Sequence, residues 1–106
     1  MHIELEKDKN LADIVSKLKA HFKPEKIFLF GSRAKGTATA ESDYDLFLIV
    51  KNSSKTKMER MDEANLVLWG RTSPVDVFVY TQKEFDESKS LFQSIPYIVN
   101  TEGVEL

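Results

Sequence analysis

The sequence contains no cysteine, which removes disulfides, zinc–thiolate centres and thiol nucleophiles at once. Its two histidines, His2 and His21, are too far apart and too differently placed to suggest a metal pair. There is no run of five like charges, and the net charge is −2. A chain that holds nucleic acid tightly without sequence preference usually shows a basic stripe or a high pI. The lack of both argues against a polymerase or a DNA-binding module, and no direct nucleic-acid binding is expected. No apolar stretch reaches the roughly 18 residues that a membrane-spanning helix needs. The acidic N-terminal residues lack the pattern of a secretory signal. The expected location is therefore the cytoplasm, with no membrane partner. Internal repeats and low-complexity linkers are missing as well.

What remains is a chain of 106 residues, 42% hydrophobic and 30% charged, close to ordinary globular usage. That length suits one domain over residues 1–106, able to bury roughly two-thirds of its unfolded surface without staples. Leu11, Ile14, Val15, Leu18 and Phe22 recur at helical spacing, predicting a helix over residues 10–22 that Pro24 ends. Residues 26–30 read as a short buried strand broken by Gly31 and Ser32, and residues 33–36 as one helical turn. A second strand is predicted over 43–50. Met58, Met61, Ala64 and Leu68 then mark a helix closing before Gly70, and a third strand runs over 75–80 after Pro74. In the tail, Phe85, Leu91, Phe92, Ile95, Ile98 and Val99 fit helical spacing. Pro96 would remove a hydrogen bond inside such a helix, so two short pieces are predicted, the second over about 96–103. Alternating helices and strands imply an α/β (α+β) layer fold with a small mixed sheet of about three strands flanked by helices.

Chemistry concentrates at the strand ends. Asp43 and Asp45 lie two apart, so strand alternation turns both carboxylates to one face. Phe47 and Ile49 continue that face, while Leu46, Leu48 and Val50 fill the other, which predicts a strand buried on both sides. Two carboxylates at its mouth repel one another by about 4 kcal/mol at 4 Å and an effective dielectric near 20, and a divalent cation between them would relieve this. Asp76 sits in the third strand among Val75, Val77, Phe78 and Val79. It is expected to be partly buried, where a carboxylate is costly unless paired or metal-bound. It can meet Asp43 and Asp45 only if the two strands are parallel, and residues 51–74 supply the crossover. Ser32 faces the same carboxylates only if its strand is antiparallel to the second, so the sheet should be mixed. Gly31 allows close approach to a phosphate, the Ser32 hydroxyl can donate to it or cap the short helix, and Arg33 and Lys35 could add charge.

Gly31-Ser32, ten intervening residues and Asp43-Tyr44-Asp45 together resemble the motif of the DNA polymerase β-like nucleotidyltransferase superfamily. The run Gly31-Ser32-Arg33-Ala34-Lys35-Gly36 and the segment Ser42-Asp43-Tyr44-Asp45-Leu46 are most similar to its minimal members, antitoxin-type proteins paired with HEPN-domain toxins. The resemblance implies the nucleotidyltransferase fold, two Mg²⁺ ions and ATP as substrate. It implies Asp43, Asp45 and Asp76 as metal ligands, with Asp76 also the general base. Gly31 and Ser32, aided by Arg33, would hold the nucleotide's phosphates. The implied reaction is AMP transfer to a hydroxyl, a tyrosine of a HEPN-type partner. Two other readings compete: an antitoxin acting by contact alone with a vestigial metal site, and a nucleotide-sugar transferase using Asp-x-Asp. The intact triad speaks against the first, and Gly31-Ser32 against the second.

Overall fold

The computed structural model describes residues 8–39, 42–71 and 73–106; His2 and the acidic N-terminal segment lie outside them. Helix α1 (Lys9–Phe22) opens on Asp8, whose carboxylate accepts the Leu11 N–H at 3.0 Å. It closes on Lys23 in the left-handed region, directly before Pro24. Strand β1 (Lys26–Phe30) leads into the single turn α2 (Ser32–Lys35), and β2 (Tyr44–Val50) into α3 (Lys57–Val67). Strand β3 (Val75–Thr81) runs straight into α4 (Gln82–Ser88), followed by α5 (Ile95–Glu102) and a short β4 (Val104–Glu105).

The sheet order is β3-β2-β1-β4. Strand β2 pairs antiparallel with β1 and parallel with β3, so the sheet is mixed as the motif placement required. The fourth strand was not foreseen. Its two residues pair with Phe28 and Leu29 of β1, and a segment that short carries no alternation pattern to read. Strand β2 is buried on both faces. Leu46, Leu48 and Val50 join a core with Leu11, Ile14, Val15 and Leu18 of α1 and with Ala64 and Leu68. Phe47 and Ile49 join a second core with Phe85 of α4 and Val99 of α5. At about 25 cal/mol per Å² of apolar surface removed from water, these two layers are the main favourable term, and both converge on β2.

Pro96 is the second residue of α5, where its missing N–H costs nothing. Ser94 caps that helix, and α4 is a separate piece, as the proline implied. Three apolar residues expected on buried helical faces are instead exposed. Met58 is 74% accessible, and Leu91 and Phe92, in the link between α4 and α5, are 60% and 76% accessible. On α3 the inward positions belong to Arg60 and Ala64.

Arg60, only 4% accessible, was not expected in the interior. Its Nη1 donates to Val79 O at 2.6 Å and to Glu84 Oε1 at 2.8 Å, and its Nη2 donates to Glu84 Oε2 at 2.9 Å. Nε and Nη2 also donate to Lys55 O at 3.2 Å. Val79 O lies on the unpaired side of β3, so the guanidinium covers part of an edge strand that would otherwise invite pairing. Glu84 completes the capping box of α4 by accepting the Thr81 N–H. Arg60 thus ties α3, β3 and α4 together. The guanidinium holds Glu84 down at a pKa of about 2. A lowered carboxyl stabilises the fold above its ordinary pKa of 4.5, and that contribution fades as pH falls toward about 2. Arg60→Met should cost roughly 1.5–3 kcal/mol at pH 7, the scale of hydrogen bonds to a charged group, because the Glu84 carboxylate left behind stays partly open to solvent. The deficit should shrink between pH 5 and pH 2, measured by urea unfolding at each pH. A constant deficit across that range would mean the ion pair is not its source.

Candidate active site

Gly31 ends β1 and caps α2 with φ +76° and ψ −157°, a conformation open to almost no residue but glycine. A Cβ there would overlap Asp45 Oδ2 and stand 3.2 Å from Asp45 Cγ. The glycine therefore serves the turn and also leaves the space that the Asp45 carboxylate fills. Ser32 is the first residue of α2, not its cap. Its carbonyl accepts the N–H groups of Gly36 and Thr37, and among the described residues nothing holds its hydroxyl.

The strand register assembles the carboxylates. Asp45 stands opposite Phe30 on one side and Asp76 on the other. Alternation places Asp45 and Asp76 on the face shared with Phe47, Ile49, Phe78 and Tyr80. Asp43 lies one residue before β2 and not within it, and is exposed. Asp76 is exposed too, against the expected partial burial. It sits near the start of an edge strand, where no further strand covers it.

Partial burial pushes the Asp45 carboxyl above its ordinary range, and the charges of Asp76 and then Asp43 push it further. Among the described residues no lysine or arginine pulls it back down. Three carboxylate arms offer the all-oxygen donors that hard divalent cations take. Among the described residues no three or more His, Cys, Asp or Glu side chains stand close enough together to hold a metal ion by themselves.

Arg33 is engaged with its own loop. Its Nε and Nη2 both donate to Ser42 O, at 3.1 and 2.9 Å, and its guanidinium lies 4.0 Å over the Tyr44 ring. The Tyr44 hydroxyl donates to both carboxylate oxygens of Asp8, at 3.1 and 3.0 Å. Sequence reading missed this chain of contacts, since its members are 36 residues apart at the widest. Lys35 is paired with Glu102 at 3.3 Å.

A β1–turn–α2 unit beside two parallel strands opening on Asp45 and Asp76 is the arrangement of a nucleotidyl-transfer fold. The chain matches the nucleotidyltransferase domain family over residues 9–98, and it belongs to that family. Among solved structures it is similar to a candidate nucleotidyltransferase from Sulfolobus solfataricus, with TM-score 0.63 and 25% identity over 92% of this chain and 76% of that one. Two toxin–antitoxin structures share the fold. One, with AMP-PNP, has TM-score 0.58 and 24% identity over 89% of this chain and 69% of that one. The other, a mutant of the toxin–antitoxin MntA-HpeT, has TM-score 0.59 and 23% identity over 91% and 70%. No curated protein matches the chain significantly. Among the described residues no helix is long and apolar enough to cross a membrane.

The raised Asp45 carboxyl fixes the sign of a pH effect. Such a group stabilises the fold fully below its unfolded pKa, and the contribution is lost as pH rises through the higher folded value. In metal-free protein at pH 7, Asp45→Asn should therefore melt higher than the parent, with the gain vanishing below pH 4. Gly31→Ala should lose about 1–3 kcal/mol from its backbone conformation alone. Thermal melts over pH 3–8 check both, and identical curves for Asp45→Asn and parent would rule out repulsion at this site.

Proposed function

We propose that the protein is a Mg²⁺-dependent nucleotidyltransferase that moves AMP from ATP to a hydroxyl of a partner protein, a tyrosine of a HEPN-type toxin, and so acts as its antitoxin. The observation that carries this reading is the register setting Asp45 beside Asp76, with Gly31 making room for the Asp45 carboxylate. Family membership supports the transferase chemistry. The fold shared with toxin–antitoxin structures supports a protein partner.

The Ser32 hydroxyl and the backbone at Gly31 would take the β- and γ-phosphates. Asp43, Asp45 and Asp76 would hold two Mg²⁺ ions, which neutralise charge on the triphosphate and make the acceptor hydroxyl more acidic. The order β3-β2-β1 puts Asp45 between the Gly31-Ser32 turn and Asp76. Phosphates held at Gly31 and Ser32 would set the α-phosphorus near Asp45, with the acceptor entering from the Asp76 side. The acceptor oxygen bonds to the α-phosphorus as the bond to the bridging oxygen breaks. Pyrophosphate leaves, and Asp76 receives the hydroxyl proton. Its exposure at the strand edge gives an incoming side chain access to that carboxylate.

Asp43→Asn or Asp45→Asn should abolish transfer and weaken Mg²⁺-ATP binding by calorimetry. Ser32→Ala should cost roughly 1.5–3 kcal/mol of binding, one hydrogen bond to a charged group. Asp76→Asn should lower single-turnover labelling of the partner by about 10²–10⁴-fold, the usual loss of a general base, with nucleotide affinity falling much less. A folded Asp76→Asn protein that labels at the parent rate would remove Asp76 from the chemistry. Full neutralisation of the toxin by Asp45→Asn would favour inhibition by contact.

A further inference from the structure

Asp43 is exposed, lies outside the strand, and makes no hydrogen bond or ion pair among the described residues. A ligand in that position would be mobile unless its neighbours were fixed, and both are. On its N-terminal side, Ser42 O accepts two hydrogen bonds from Arg33, and Ser42 Oγ accepts the Thr39 N–H at 2.9 Å. On its C-terminal side, the Tyr44 N–H donates to Pro74 O at 3.0 Å, extending the β2–β3 ladder by one rung. The Tyr44 side chain is 4% accessible, lies under the Arg33 guanidinium, and is tied through its hydroxyl to Asp8. Among the described residues Arg33 is thus the one side chain that grips the peptide before Asp43 and also covers the residue after it. It follows Ser32 directly, so the same grip sets the distance between the Gly31-Ser32 turn and the Asp43–Asp45 pair.

The geometry points to Arg33 as a positioning residue that pre-organises Asp43 for a divalent cation, rather than a ligand of the triphosphate. This inference rests on the metal-dependent reading above. The planar fork is what the task needs. Two parallel donors to one carbonyl, with a flat face on an aromatic ring, are beyond a lysine, which keeps only the charge. Partners that orient a metal ligand without touching the metal typically change metal affinity by 10–100-fold when removed.

The experiment compares the full chain with Arg33→Lys and Arg33→Met. Amide hydrogen exchange, without metal or nucleotide, should show faster exchange at the Tyr44 amide in both variants. Protection across residues 46–50 should stay at the parent level, which also shows that both variants are folded. Mn²⁺ titration by electron paramagnetic resonance should show affinity reduced by roughly 10-fold or more in both. With ATP, kcat should fall in both while KM for ATP stays near the parent's. If Arg33 instead serves the triphosphate as a charge, Arg33→Lys keeps parental Mn²⁺ affinity and exchange, Arg33→Met raises KM, and the positioning role is overturned. Unchanged exchange at Tyr44 in both variants overturns it equally. If the parent itself binds no Mn²⁺, the metal-dependent reading falls and the preparatory role with it. Faster exchange at Tyr44 would then leave Arg33 as a purely structural brace, so the two failures are told apart.

Discussion

The parallel pairing of β2 with β3 is the constraint on which the rest depends. Parallel strands begin at the same end of a sheet, so the residues opening β2 and β3 become neighbours although 31 positions separate Asp45 from Asp76 in their shared rung. The crossover through α3 makes the pairing possible. Burial of β2 on both faces fixes its register, because a slip of one residue would turn Asp45 into one core and Leu46 into the other. The antiparallel pairing of β1 then brings Gly31 to the same end from the opposite direction. One strand with two apolar faces thereby places a turn, a carboxylate and a second carboxylate side by side.

That arrangement leaves the fold in opposition to itself at one end. Asp45 is partly buried, faces two like charges, and lies against a glycine in a conformation that few residues tolerate. The other end of the sheet offsets this. Arg60 joins α3, the outer side of β3 and α4 in one hydrogen-bonded unit, with Glu84 serving both the guanidinium and a helix cap. Repulsion is thus confined to the end of the sheet where a bound cation would relieve it, and a fully paired ionic group sits at the other. Functional sites commonly hold such local conflict, compensated elsewhere in the fold.

Between the two ends, the contacts from Asp8 through Tyr44 to Arg33 explain how an exposed loop residue is held. The capping residue of α1 orients the tyrosine, and the tyrosine supports the arginine. The loop before β2 is consequently anchored to two helices and to β3. Order at Asp43 comes from its neighbours, which leaves its own carboxylate uncommitted.

Much of this was legible in the sequence because it is local. Helical spacing and Pro24 marked α1, the apolar run bounded by Gly31 marked β1, and Pro96 marked the break before α5. The Asp43-x-Asp45 alternation, with an apolar residue at every following position, identified a strand buried on both sides and a charged mouth. Needing Asp76 beside Asp45 even required the parallel pairing, and needing Ser32 there required the antiparallel one. The Thr81-x-x-Glu84 capping box that opens α4 was a local signal as well, but the sequence reading passed over it. What the tertiary structure alone decided was environment. Asp76 is exposed because β3 is an edge strand, Arg60 is buried because a carbonyl and a carboxylate meet it from other elements, and Arg33 lies over Tyr44 while holding Ser42 O. The two-residue β4 exists only because β1 offers it an unpaired edge. Spacing along a chain sets periodicity and turn chemistry, whereas burial and pairing depend on partners brought from dozens of residues away.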